Sequence, residues 1–175
     1  MDLWKVLGID RQGEKGSGVD WGTLFDAISG VLEGLPHEDV KRVTGIAGLL
    51  GKVAYADRDI SEREVERIRR TLTEMLHLES AHVESILALL LDHRIQLFAV
   101  EDHVYARLVN EVASRQQKCE LLRVLFTVAA ADRSISEAED RTIRLVADGL
   151  QLSHREFIDA RSGFNDRREI FRDPR

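Results

Sequence analysis

Carboxylates recur in this chain at a fixed distance from a serine. Glu64 stands three residues after Ser61, Glu139 three after Ser136, and Glu156 three after Ser153. That spacing is a capping box: the hydroxyl accepts the amide of the third helical residue while the carboxylate reaches back to the serine's own amide. Each box marks a helix N-terminus and satisfies two donors that would otherwise be orphaned. Asp57 and Asp132 precede the first two boxes, each at the C-terminal end of an apolar run. There the helix macrodipole disfavours a carboxylate by about 0.3–1 kcal/mol, and an Asx-turn onto the amides of the connection offsets the cost. Asp57, Asp59 and Ser61 fall on the first three ligand positions of an EF-hand loop, but Glu62 stands where its glycine belongs and Ile68 where its bidentate acid belongs. The EF-hand is therefore excluded.

Other reactive groups are not arranged for chemistry. Gly45 to Val53 (GIAGLLGKV) has one residue too many for a phosphate-binding loop and Val53 in place of the magnesium-binding hydroxyl. Gly45, Gly48 and Gly51 are read instead as the small face of a helix that another helix approaches closely. The six histidines include no i, i+4 pair. They are assigned to the surface or to partner contacts. Cys119, the single cysteine, reads as a packed thiol. Nothing selects a nucleophile, so the chain is expected not to be an enzyme.

The elements that position these residues are helical. From Lys52 to Asp148 there is no Gly, no Pro and one Asn, Asn110, so the stretch lacks the residues that tight hairpin turns require. Val65, Ile68, Leu72, Met75 and Leu76 recur at three-to-four-residue steps opposite a charged face, which predicts a helix over 61–76. The same reasoning places helices near 20–33, 39–56, 80–92, 101–115, 117–131, 137–150 and 154–162. Leu121 to Ala131 and Ile86 to Leu91 are apolar almost all round and are expected to be central. Gly8 to Gly18 (GIDRQGEKGSG) has the composition of a flexible linker behind an amphipathic start, Leu3, Trp4, Val6 and Leu7, which would dock on the core or on a partner.

Residues 53–68 (VAYADRDISEREVERI) and 128–143 (VAAADRSISEAEDRTI) agree at ten of sixteen positions. With one residue removed, Leu76 and Leu78 fall on Leu150 and Leu152. The chain thus contains a duplicated helical unit. The expected architecture is an all-α bundle of seven to eight helices built from two related units, about 40–92 and 115–162, with pseudo-two-fold symmetry. An N-terminal segment and linker (1–19) would precede the domain (20–163), and a tail (164–175) would follow.

The loops Ala56-Asp57-Arg58-Asp59-Ile60-Ser61-Glu62-Arg63-Glu64 and Ala131-Asp132-Arg133-Ser134-Ile135-Ser136-Glu137-Ala138-Glu139 resemble the TerB-like family, the tellurite-resistance-associated domain also found at the N-terminus of the DjlA co-chaperone. The resemblance covers about residues 40–162. It implies a compact all-α domain of two related halves, working in a stress response through protein contacts or in a membrane-associated complex; the alternative, read from the arginines and glutamates on one helix face and from Trp4, Trp21 and Phe171 outside the repeats, is a purely structural adaptor or homo-oligomer whose acidic loops only cap helices. It further implies a divalent metal site, whose candidate ligands here are Asp57, Glu64, Asp132 and Glu139. Family members often carry Gly directly after the Asp, where this chain has Arg58 and Arg133.

With 25 Lys and Arg against 31 Asp and Glu, the net charge is −6, which argues against nucleic-acid binding by counterion release. Residues 1–40 hold eight acids and three bases, so most of the excess lies there. One cysteine permits no internal disulfide, and no apolar run reaches the roughly 18 residues of a membrane span. A soluble cytoplasmic protein is expected.

Overall fold

The computed structural model describes residues 22–58, 60–92, 104–132 and 134–164. They form eight α-helices: α1 Gly22–Val31, α2 His37–Ala54, α3 Glu62–Leu76, α4 Ser80–Leu91, α5 Val104–Val112, α6 Arg115–Ala129, α7 Glu137–Gly149 and α8 His154–Ser162. A 3-10 turn, Ala130–Asp132, follows α6. The all-α expectation is met, and no strand occurs among the described residues. The amphipathic start, the linker at 8–18 and residues 165–175 lie outside them.

All three predicted capping boxes form. A fourth, Ser114 with Gln117, separates α5 from α6: the Ser114 amide donates to Gln117 Oε1 at 2.8 Å, and the Gln117 amide to Ser114 Oγ at 3.3 Å. The predicted helix 101–115 therefore stops at Val112. Of the acids that make the first forty residues negative, Glu38 and Asp39 occupy the first turn of α2, where the macrodipole favours them.

The core is organised around α2, which is buried without interruption from Val43 to Leu50 and touches α1, α3, α4, α5, α6 and α7. α5 packs on it most extensively, and α6 adds buried Leu121, Leu122, Leu125, Phe126, Val128 and Ala129. The expectation that Ile86 to Leu91 is central needs correction. α4 buries Val83, Ile86, Leu87 and Leu90 but leaves Ala88 exposed and Leu91 at 40% exposure. An apolar run of this length does not distinguish a helix buried all round from one packed at the side. Phe164, placed in the tail by sequence, stacks on Phe126 with ring centroids 5.8 Å apart.

The glycine face of α2 behaves as expected. A Cβ at Gly45 would stand 2.8 Å from Val109 Cγ2, one at Gly48 would enter the Tyr105 ring, and one at Gly51 would meet Leu90 Cδ2 at 3.0 Å. Gly45 and Gly48 let α5 lie directly on α2, and Gly51 admits α4 through Leu90. On its other side α5 abuts α7, where a Cβ at Gly149 would meet Ala106 Cβ at 3.1 Å and Asn110 Nδ2 donates to the Gly149 carbonyl at 2.8 Å.

Candidate functional site

The two repeated boxes put a glutamate at the start of α3 and another at the start of α7. The Ser61 amide donates to Glu64 Oε2 at 2.8 Å, and the Ser136 amide to Glu139 Oε2 at 2.7 Å. In return each glutamate amide donates to its serine hydroxyl at 3.2 Å. Both side chains are buried, Glu64 at 5% and Glu139 at 4% exposure. Burial, the largest influence, pushes both carboxyls above the usual carboxylate range, and the cap hydrogen bonds only partly oppose it. Glu139 reaches about 7.

The remaining influences show that the two loops are neighbours. The charges of Asp132 and Asp57 raise Glu64, and those of Glu64 and Asp57 raise Glu139. The 3-10 turn carrying Asp132 packs against α3. The fold thus brings the four sequence-predicted acids into one electrostatic neighbourhood, with the glutamates inside and the aspartates exposed. It does not gather them into a coordination set: no three His, Cys, Asp or Glu side chains among the described residues are placed to hold a metal ion. Asp59 and Arg133 lie outside those residues. Arg58, where the family often has glycine, adopts φ 70°, a left-handed conformation that is costly for a residue with a Cβ and free for glycine.

The third box shows how far environment decides the chemistry. Glu156 accepts from Arg115 Nε and Nη2, both at 2.7 Å, and from the Ser153 amide at 2.6 Å. The guanidinium holds this carboxyl down at about 2. Cys119 Sγ lies 3.6 Å from Glu156 Oε1 and is half-buried; burial, with that carboxylate beside it, pushes the thiol up. A raised thiol is a poor nucleophile at neutral pH. Of the histidines, His37, His77 and His154 are exposed and His82 is half-buried, while His93 and His103 lie outside the described residues. Gly45 to Val53 is helix interior, which agrees with the rejection of a phosphate loop.

Sequence reasoning missed a groove of about 440 Å³ between α3 and α6, closed on its inner side by α2 and the end of α5. Its floor is apolar, with Ile46, Val109 and Leu121 buried and Met75 and Val124 half-buried. Its rim is charged, with Arg42, Glu74 and Glu120 around it. Arg42 Nη1 donates to Asp39 Oδ1 at 3.1 Å, while its Nε is buried with no partner among the described residues. Each helix contributes residues three or four apart that look like ordinary amphipathic positions. Only the crossing of the helices turns them into a concave surface.

The comparisons with known proteins agree with the fold. A family model described as tellurite resistance protein TerB matches residues 43–162, which takes in both repeated loops and both buried glutamates. Neither the curated proteins nor the solved structures yielded a match.

Proposed function

The chain belongs to the TerB family of tellurite resistance proteins, and from that premise we propose that it is a non-enzymatic helical module of a stress response, working by holding a protein partner in the groove between α3 and α6. The supporting observation is the groove itself, an apolar floor inside a charged rim on the scale of a small binding site. Such a surface suits an amphipathic helix, whose apolar residues at i, i+3 and i+4 enter the groove while its charges meet the rim. The two acidic loops then serve chiefly to hold α3 and α7 at their N-termini.

A photo-crosslinking residue placed at Val124 in the full chain, compared in cells with the same residue at Leu145 on α7, tests this reading. A protein crosslinked from 124 and not from 145 supports it, and a product of twice the chain's mass identifies the partner as a second copy. Identical products from both positions refute it.

A second reading, a divalent cation drawn to the acidic loops, is supported by the mutual repulsion of Glu64, Glu139, Asp57 and Asp132. As placed, these side chains do not fit a coordination sphere, so no chemistry is drawn through a metal. Calorimetric titration with calcium, magnesium, manganese and zinc decides the matter. Binding tighter than millimolar that disappears in the E64Q/E139Q double variant supports the cation, and its absence leaves capping as the sole role of these acids.

A further inference from the structure

α3 carries a row of charges whose sign changes along its length. Arg63, Arg67, Arg70 and Glu74 follow one another at steps of four, three and four, so they share one side of the helix. All four are exposed. From Arg63 to Glu74 the row covers about 16 Å of helix axis.

The row borders two concavities that follow one another along the same helix. Thr71, Glu74, Met75 and His77 line the groove already described. Glu62, Arg63, Glu66, Arg67 and Arg70 line a second, more open hollow of about 400 Å³, whose opposite wall is Ala131 of the 3-10 turn. α6 runs antiparallel to α3, from Gln117 and Val124 beside the groove toward Ala131 beside the hollow. Groove and hollow are therefore successive parts of one α3/α6 seam.

The two ends of the seam keep charges of opposite sign. In the hollow, Glu66 is engaged by Arg69 and Arg70 at 2.6 and 3.1 Å, and Glu62 stands in the first turn of α3, where the macrodipole favours it. Arg63 and Arg67 form no ion pair among the described residues. In the groove the order is reversed. Arg42 is engaged by Asp39 at 3.1 Å, whereas Glu74 on the α3 wall and Glu120 on the α6 wall are exposed and without an ion pair among the described residues. The macrodipole of α3, positive toward Arg63 and negative toward Glu74, has the same sense.

We propose that the docking partner is an amphipathic helix of about three turns with segregated charge: apolar residues and cations at one end, seated in the groove between Glu74 and Glu120, and acids at the other end, over Arg63 and Arg67. Given the groove as a docking surface, on which this reading rests, the seam adds the length of the partner and the order of its charges. A uniformly basic or uniformly acidic helix meets its own sign at one end and is disfavoured. A helix with acids in its first turn and cations in its last, the arrangement its own macrodipole favours, lies parallel to α3.

Two fluorescein-labelled peptides of about fourteen residues, with the same composition and the same leucine face, test this by anisotropy with the full-length protein. One has glutamates in its first turn and lysines in its last; the other alternates them along the polar face. The segregated peptide should bind at least about fivefold tighter, the scale of a few exposed ion pairs, and the preference should shrink as salt is raised. Glu74→Lys with Glu120→Lys removes the preference, and so does Arg63→Glu with Arg67→Glu, which serves should the first pair disturb the groove. Glu33→Lys with Asp159→Lys, the same change of net charge at exposed acids outside the seam, leaves it intact. Equal binding of the two peptides, both released by Val124→Glu, overturns the charge order while the groove stands as a docking surface. A preference that survives both sets of seam substitutions, or is lost in the control pair, overturns it as well. So does binding of neither peptide, and crosslinking from residue 124 then decides the docking function by itself.

Discussion

Replacing Glu139 with glutamine tests the energetic account of the repeated loops. The carboxyl is raised from its ordinary 4.5 to about 7 in the folded chain, so the native state binds this proton more tightly than the unfolded state does. The group's contribution to stability is therefore fully present below about pH 4.5 and is lost as pH rises through 7. At 1.36 kcal/mol per unit, the shift corresponds to at most about 3 kcal/mol. Glutamine is neutral throughout, and its carbonyl still accepts the Ser136 amide that Glu139 holds at 2.7 Å. Urea unfolding followed by circular dichroism should show the wild type losing up to about 3 kcal/mol more than E139Q between about pH 5 and pH 8, with the two converging at the acid end. Glu64 shifts in the same direction, so E64Q should flatten part of the remaining slope. The depressed carboxyl of Glu156 works in the opposite sense and outside this window, between its ordinary 4.5 and about 2. Parallel curves for wild type and E139Q, within about 0.5 kcal/mol over the whole range, would show that Glu139 ionises as it does in the unfolded chain. Burial would then not govern the loop.

Arg58→Gly, which relieves the φ of 70°, should raise stability by up to about 1 kcal/mol, read as a higher urea midpoint at unchanged slope. Gly48→Ala drives a methyl into the buried Tyr105 ring and should cost about 1–3 kcal/mol, with loss of the native tyrosine near-ultraviolet signal. Ser114→Ala removes the cap that starts α6 and should cost about 1 kcal/mol in thermal or urea unfolding.

The local chemistry was legible from sequence wherever one segment contained all of it. Three capping boxes, the glycine face of α2 and eight helix positions follow from spacings of three and four. The fourth box was equally local, since Ser114 and Gln117 carry the same signature with glutamine in place of glutamate. What stayed hidden depends on partners distant in the chain. Glu139 and Glu156 sit in boxes of the same spacing, yet one carboxyl rises to about 7 and the other falls to about 2. The difference comes from the burial of the first and from Arg115, which the second meets across a 41-residue separation. The groove was invisible for the same reason, as were the outward-facing residues of α4. Apolar spacing gives the face of a helix but not how many neighbours cover it.

α5 belongs to neither copy of the duplicated unit, yet it rests on the first through Gly45 and Gly48 and closes the last carbonyl of α7 in the second through Asn110. It acts as a keystone. Each copy made as a separate polypeptide would leave part of this seat bare, and the two would reassemble well only if one of them kept α5. The consequence is kinetic as well as architectural. Joining the halves requires contacts between residues tens of positions apart, such as Asn110 with Gly149, so α5 docking belongs to the slow, entropically costly part of folding. A chain held short of that step would keep the direct contacts of α2 with α6 and α7 and of α3 with α6, and would leave only the α5 seat bare.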